Sequence, residues 1–235
     1  MNSIYFLLNF FIGACLASHA NVIYERWDTH NFIFSRSYCD NCKSTLSLLD
    51  EIPLFSYLLL KGKCKYCQKN IPRELFFFEL VGGFAFCTIN FSDKSQIITS
   101  IFIFSLLLIA ISDYYQNEFD LIFIFPAIIT SILFNRIYLF NWIEWLSFLP
   151  VLIVLSIYSF KQKMGLGDLL IYVLISTYFT PTFANLTLLF AALILIIIHF
   201  TENNLVSHNY PFIPFIFIGL IISKFIFESP IVKLT

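Results

Sequence analysis

The segment at residues 96–113, QIITSIFIFSLLLIAISD, decides the fold class of this 235-residue chain. It carries no charged residue before Asp113 and is long enough for a helix that nearly spans the roughly 30 Å hydrocarbon core of a bilayer. The whole chain is 59% hydrophobic and 12% charged, whereas an average soluble domain has about 25% charged residues. This composition excludes a water-soluble globule and predicts a polytopic membrane protein.

Eight apolar segments of this kind recur along the chain. They are residues 3–23, 75–91, 96–112, 121–139, 142–160, 168–179, 183–200 and 210–227. They lack the alternation of barrel strands, so they are expected to be helices, and the first lacks the basic start of a cleaved signal. We therefore predict an all-α membrane protein of about eight transmembrane helices, with residues 1–23 as the first helix, 24–74 as a loop domain and 75–235 as a seven-helix membrane domain.

The basic residues predict the orientation of these helices. Ten of the fourteen lie in the loops after the first and fifth segments: Arg26, Arg36, Lys43, Lys61, Lys63, Lys65, Lys69, Arg73, Lys161 and Lys163. Cytoplasmic loops retain positive charge. The long loop is therefore expected on the cytoplasmic side of a bacterial plasma membrane, and both termini are expected on the opposite side. The connections near Asp113 and Asp168 share the cytoplasmic side. The net charge of -1 gives the protein no overall electrostatic field that would attract nucleic acid, so no nucleic-acid partner is expected.

Four cysteines in the predicted loop form two C-x2-C pairs, Cys39 with Cys42 and Cys64 with Cys67. Each pair can direct two thiolates to one ion, and two pairs complete the tetrahedral sulfur set that structural zinc prefers. Disulfides and free thiols are the alternatives, and a reducing cytosol disfavours disulfides. The sequence therefore predicts a zinc-ribbon-like loop between the first two helices.

Three aspartates follow residue 96: Asp113, Asp120 and Asp168. Ionisable groups at the ends of membrane helices are candidates for function. Asp168 closes the sequence GLGD at 165–168, where glycines allow unusual dihedrals or close backbone approach and a helix N-terminus favours a carboxylate. Asp120 is expected to be a solvated residue at the edge of a helix.

Hydrolysis of a peptide bond by carboxylates needs two of them close enough to share one proton. Asp113 and Asp120 would lie roughly 10 Å apart along a helix, so they cannot form that pair. Asp113 and Asp168 end separate segments on the same predicted side. We expect them to form the dyad, with Asp168 as the ionised member because it begins a helix and Asp113 closes one. Gly165 and Gly167 are expected to bind an extended substrate.

Several segments together resemble the type IV prepilin peptidases, membrane aspartyl proteases with a GxGD motif, over nearly the whole chain. LASHANVIYER at 16–26 is similar to that family's LGSFLNVVIYR, and DEIPLFSY at 50–57, between the cysteine pairs, is similar to its zinc loop. Asp113 after Ser112 matches the first catalytic aspartate, GLGD at 165–168 the second, and YPFIPF at 210–215 a PFGPF-like segment of the last span.

The resemblance implies that Asp113 and Asp168 are the catalytic pair. The implied substrate is a type IV prepilin or competence pseudopilin with a short basic leader, cut after a glycine at the cytoplasmic membrane face. Many members of the family also methylate the new N-terminus with S-adenosylmethionine. Glu79 lies in the region tied to that activity and is a candidate for binding this cofactor, although no methyl-donor motif is readable.

Two other interpretations compete with this one. The first is a membrane scaffold or transporter in which the zinc-stapled loop docks a partner and the intramembrane acids serve an ion path. A relay of that kind needs paired charges deep within several helices. The second keeps the protease and changes its substrate to another class of membrane helix, and fold alone does not separate these functions.

Overall fold

The computed structural model describes residues 3–28, 36–39, 41–134, 140–201 and 210–228. Its helices are α1 (Ser3–Glu25), α2 (Phe55–Leu59), α3 (Arg73–Phe86), α4 (Lys94–Gln116), a 3₁₀ turn (Leu121–Ile124), α5 (Phe125–Leu133), α6 (Trp142–Phe160), α7 (Leu166–Tyr178), α8 (Pro181–Thr201) and α9 (Ile213–Glu228). Over these residues no strand occurs, and two isolated bridges join Tyr38 to Thr45 and Lys63 to Asn70. The all-α prediction is confirmed.

Each of the eight predicted membrane segments overlaps a helix, but their lengths differ. In the described ranges, α1, α4, α6 and α8 are long and apolar enough to cross a membrane. Shorter apolar helices cover Leu121–Leu133, α7 and α9, and α3 has 14 residues. Pro181 begins α8 and disfavours helical backbone in the residue before it, so α7 does not continue into α8. Residues 135–139 of the fourth segment lie outside the described part of the chain.

The chain divides into two compact units, Met1–Ser100 and Ile101–Thr235. In the first, small residues let α1 and α3 approach closely. A Cβ added to Gly13 would lie 2.5 Å from the Gly82 carbonyl oxygen, and one added to Gly82 would meet the Ala17 side chain. Close packing through small residues is a common way for helices to associate in membranes, where lipid gives little hydrophobic drive.

In the second unit, the part of α4 that follows Ser100 has the longest uninterrupted buried stretch of the described helices. Its residues from Ser105 to Asp113 are buried without interruption, whereas α6 buries only Phe148 and Ser159. A helix that is apolar and buried on all sides lies in the middle of its bundle. The chain thereby carries Asp113 to the end of a central helix, among the neighbouring helices of this unit.

Hydrogen bonds between polar side chains connect the surrounding helices of the second unit. The hydroxyls of Ser131 and Thr177 lie 2.5 Å apart between α5 and α7, and Tyr172 donates to the Asn185 side chain of α8 at 2.9 Å. Interhelical hydrogen bonds of this kind average about 0.6 kcal/mol each in a membrane protein. They hold α7, and with it Asp168, in a fixed register.

Candidate functional site

Asp113 lies one turn before the end of α4 and is only 7% exposed. The helix ends where Asn117, with φ 55°, donates its N–H to the Asp113 carbonyl at 2.8 Å. The Asp113 carboxylate accepts a hydrogen bond from the backbone N–H of Ile213 at 3.1 Å. Because Ile213 is the first residue of α9, its N–H has no partner within its own helix. Asp113 therefore sits at the N-terminus of a second helix.

Asp168 is the third residue of α7 and is also 7% exposed. Its carboxylate accepts a hydrogen bond from the backbone of Gly165, the residue that precedes the helix. An acid at this position satisfies a free N–H of the first turn. Both carboxylates are thus bound at helix N-termini, which removes the basis for expecting Asp168 alone to be the ionised member.

The two aspartates line one cavity of about 1400 Å³. Its wall is formed by the end of α4 and the loop after it, the C-terminal end of α6, the GLGD turn and the segment that leads into α9. Asp113, Gly165, Gly167 and Asp168 are all lining residues. The structure therefore brings the predicted catalytic and substrate-binding residues together around one space.

Asp120 lies apart from this cavity. It is exposed, stands immediately before the 3₁₀ turn, and is not among the residues that line the cavity. Its carbonyl accepts the Phe123 N–H at 3.0 Å. This is the solvated position expected for Asp120, and it makes that residue a natural control for the two buried acids.

The glycines of the GLGD turn do not have unusual dihedrals, so the first of the two reasons expected for them is wrong. Gly165 has φ −66° and ψ 145°, and among the described glycines only Gly62 has a positive φ. Close approach explains Gly167 instead, since a Cβ there would lie 2.5 Å from a ring carbon of Phe119. At Gly165 the nearest atom to such a Cβ is Asp168 Oδ2 at 3.5 Å, so a methyl group fits there.

Sequence reasoning missed the contributions of Phe119, Ser159 and Ile213. Phe119 follows a loop that is tied back by a 3.1 Å bond from the Ser112 hydroxyl to the Glu118 carbonyl. Ser159 is a lining residue of the cavity, and its enclosed hydroxyl has no hydrogen-bond partner among the described residues. Only Ile213 carried a signal, because it belongs to the YPFIPF segment noted in the sequence.

The four cysteine sulfurs of the first unit form a compact cluster. The Sγ atoms of Cys39, Cys42, Cys64 and Cys67 all lie within 4.8 Å of one another, and those of Cys39 and Cys67 are 3.8 Å apart. Four sulfurs bound at about 2.3 Å to a tetrahedral zinc ion would lie roughly 3.8 Å apart. The cluster therefore fits a zinc ion better than the roughly 2.05 Å bonds of disulfides.

The backbone repeats the same turn at both cysteine pairs. The backbone carbonyl of Cys39 accepts the Lys43 N–H at 2.8 Å, and the backbone carbonyl of Cys64 accepts the Gln68 N–H at 3.0 Å. Lys43 and Gln68 both have positive φ. Hydrogen bonds with the Ser44 side chain and backbone are the largest causes that lower the pKa of the Cys42 thiol to about 6, which favours the thiolate form of this cysteine.

Glu79 joins α3 to the loop. Its carboxylate accepts the Leu54 N–H at 2.8 Å and also hydrogen-bonds the Ser18 side chain of α1. Leu54 has φ 64°, so this bond helps to hold an uncommon conformation just before α2. These contacts give Glu79 an anchoring role, and they supply no observation that fits S-adenosylmethionine.

Comparison with known proteins matches part of the chain. Residues 11–92 match the model of the bacterial peptidase A24 N-terminal domain. The chain is 34% identical over 89 residues to the prepilin leader peptidase/N-methyltransferase of Vibrio cholerae, 36% over 86 residues to that of Bacillus subtilis and 30% over 101 residues to that of Myxococcus xanthus. No solved structure matches the chain.

These matches cover 34%, 35% and 42% of this chain, and 35%, 35% and 30% of the three relatives. The chain therefore spans about a third of the length of the curated relatives it matches. The matched family domain at residues 11–92 includes the cysteine cluster and Glu79, but it ends before Asp113 and Asp168.

Fold and site together define a helical membrane protein with a four-cysteine cluster in one unit and two buried aspartates on one cavity in the other. The family model and the relatives confirm the resemblance to the type IV prepilin peptidases for the part of the chain that they match. The family likeness therefore belongs to residues 11–92, which are similar to the bacterial peptidase A24 N-terminal domain.

Proposed function

We propose that the chain is an aspartic-type membrane endopeptidase that removes the leader peptide from type IV prepilins or competence pseudopilins. The observation that carries the proposal is the placement of Asp113 and Asp168, buried and from separate helices, on one cavity. The relatives named prepilin leader peptidase support the class of substrate.

The chemistry follows from two carboxyl groups that share one proton. One carboxylate takes a proton from a water molecule, and the resulting hydroxide forms a bond to the scissile carbonyl carbon. The other carboxyl group protonates the carbonyl oxygen. When the C–N bond breaks, the leaving nitrogen takes up a proton, and the products are a leader with a new carboxyl end and a mature protein with a free amine. One water molecule is consumed.

The cavity also offers polar groups for an extended substrate. The exposed main chain around Gly165 lies beside Asp168, and Ser156 and Asn117 also line the cavity. A substrate strand can hydrogen-bond to such groups through its backbone. The site lies at the cytoplasmic face of a bacterial plasma membrane in this proposal, because the basic loops mark that side.

The cysteine cluster has a structural role in the proposal. Cys39, Cys42, Cys64 and Cys67 would hold a zinc ion, which when bound supplies a cross-link between the two halves of a loop with little apolar core. N-methyltransferase activity appears in the names of the relatives, but we derive no methyl transfer for this chain because the described contacts of Glu79 are with the chain itself.

A cleavage assay tests the proposal. The full chain, purified in detergent, is incubated with a type IV prepilin and with a competence pseudopilin, and mass spectrometry locates any new N-terminus. We expect cleavage between the leader and the apolar helix of at least one substrate, and none by the Asp113→Asn variant. Failure to cut either substrate, or equal cutting by the variant, would overturn the proposal.

A further inference from the structure

Residues 48–59, LLDEIPLFSYLL, turn six of their apolar side chains outward and bury Pro53 and Leu54. All of the exposed residues in this segment are leucine, isoleucine or phenylalanine: Leu48, Leu49, Ile52, Phe55, Leu58 and Leu59. Leu48 and Leu59 are 75% and 79% exposed. A loop in water shows the reverse arrangement, and a contiguous apolar patch of this kind marks a surface that something covers.

The acidic groups of the same segment turn inward. The Asp50 carboxylate accepts the Ser47 hydroxyl at 2.6 Å and lies 3.6 Å from Lys65 Nζ, and its side chain is only 8% exposed. Glu51 is half-buried, with one carboxyl oxygen fully enclosed. The segment thus satisfies or shields its charges within the protein and leaves an uncharged outer face.

The segment also lies alongside the membrane helix α1. The Phe55 ring stacks on Phe11 with centroids 5.6 Å apart, and Phe11 stands fourteen residues before the end of α1 at Glu25. At 1.5 Å per residue this contact is about 21 Å along the helix from that end. Leu7, Leu8 and Ile12 of α1 are exposed as well, so the outer face of residues 48–59 continues the apolar surface of a membrane span.

Lysines follow directly after the apolar segment. Lys61 and Lys63 are exposed, and positive side chains beside an apolar face match the negative headgroups of anionic lipids. We propose that residues 48–59 are embedded in the bilayer, with their apolar face covered by lipid acyl chains and Lys61 and Lys63 placed at the headgroups. The predicted loop domain is therefore partly a membrane element, whatever reaction the second unit performs.

Quenching of tryptophan fluorescence by brominated lipids tests this proposal. Trp27, Trp142 and Trp145 are replaced by Phe, and one reporter is added by Leu49→Trp, Leu59→Trp or Tyr66→Trp. Tyr66 is the matched control because it is also exposed but lies within the second cysteine pair. Each variant is placed in nanodiscs of phosphatidylcholine and phosphatidylglycerol with plain or brominated acyl chains, after circular dichroism has confirmed equal helix content.

We expect the Leu49→Trp and Leu59→Trp variants to lose more fluorescence with brominated chains than the Tyr66→Trp variant, and to emit at shorter wavelength. Two reporter positions keep the test decisive if one variant does not fold. Quenching at both positions no greater than in the Tyr66→Trp variant would overturn the proposal, whether water, another protein or a second copy of the chain covers the segment. The readout needs no peptidase activity, so its failure is distinct from failure of the proposed function.

Discussion

At the residue scale, the two buried aspartates share an environment that their positions in the sequence do not disclose. Asp113 lies in the last turn of α4, yet its carboxylate accepts a hydrogen bond from the first N–H of α9, on a residue one hundred positions away. The Asp168 carboxylate accepts a hydrogen bond from the backbone of Gly165, at the start of its own helix. Each carboxylate is held by a hydrogen bond and a helix dipole, so both are oriented before substrate arrives.

The first prediction concerns these acids. Asp113→Asn and Asp168→Asn keep the shape of the side chain but remove the titrating oxygen, so each is expected to lower the rate of prepilin cleavage by at least about 10²-fold. Asp120→Asn is the matched control and should retain cleavage near the wild-type rate. Initial rates on one prepilin, with membrane insertion checked by fractionation, decide the matter. Loss of cleavage in the Asp120→Asn variant, together with normal cleavage by either the Asp113→Asn or the Asp168→Asn variant, would refute the assignment of the catalytic pair.

The second prediction concerns Gly167 and its contact with Phe119. A methyl group at Gly167 overlaps the Phe119 ring, so Gly167→Ala is expected to destabilise the second unit by about 1–3 kcal/mol and to lower cleavage. The double variant Gly167→Ala with Phe119→Ala should recover stability, because the ring is gone. Gly165→Ala is the control and should keep the wild-type melting temperature. Equal losses at Gly165 and Gly167 would show that the contact is not the cause.

Sequence could identify the residues of the site but not all the reasons for them. Asp113, Gly165, Gly167 and Asp168 are visible as an acid at the end of an apolar run and as a GLGD turn. The need for glycine at 167 depends on Phe119, which lies forty-eight positions earlier. Long-range steric contacts leave no local pattern, so the sequence could offer unusual dihedrals and close approach as reasons for the glycines but could not decide between them.

At the scale of elements, hydropathy located the helices but not their ends. The segment predicted at 168–179 corresponds to α7, which begins at Leu166 and ends at Tyr178, within two residues of the prediction. The segment at 75–91 corresponds to α3, whose helix stops at Phe86. Hydropathy measures the apolar run, whereas turns such as the Ile89 N–H bond to Phe86 end a helix within it.

The third prediction concerns the metal. One zinc ion per purified chain is expected, bound by the four clustered sulfurs. Cys39→Ser and Cys64→Ser should each lower the zinc content and speed proteolysis of the loop, since either change removes one of four ligands. Cys15→Ser is the control, because Cys15 lies in α1 outside the cluster. Mass spectrometric metal analysis measures the content, and a wild-type stoichiometry near zero would refute the prediction.

At the scale of the whole molecule, composition alone fixed the class of protein. A chain with 12% charged residues cannot cover a water-soluble surface, and the described helices follow from that constraint. The division into units at Ser100 was not visible in the sequence, because residues 96–113 form an uninterrupted apolar run. The exposure of the apolar residues in 48–59 was also not predictable, because the same sequence fits a small buried core and a lipid-facing patch equally well.

The last prediction concerns orientation in the membrane, and α3 provides its test. Arg73 begins α3 and lies at the end of the basic loop, whereas Ser92 lies in the connection beyond the other end of α3. Both residues are exposed. Because basic loops are retained in the cytoplasm, a membrane-impermeant maleimide applied to intact spheroplasts should label the Ser92→Cys variant and not the Arg73→Cys variant.

Permeabilised cells should show labelling of both, with the wild-type chain giving the background. The reverse pattern would place the cysteine cluster in an oxidising compartment, where disulfides become the favoured state of its thiols, and would move the paired aspartates to the opposite face of the membrane.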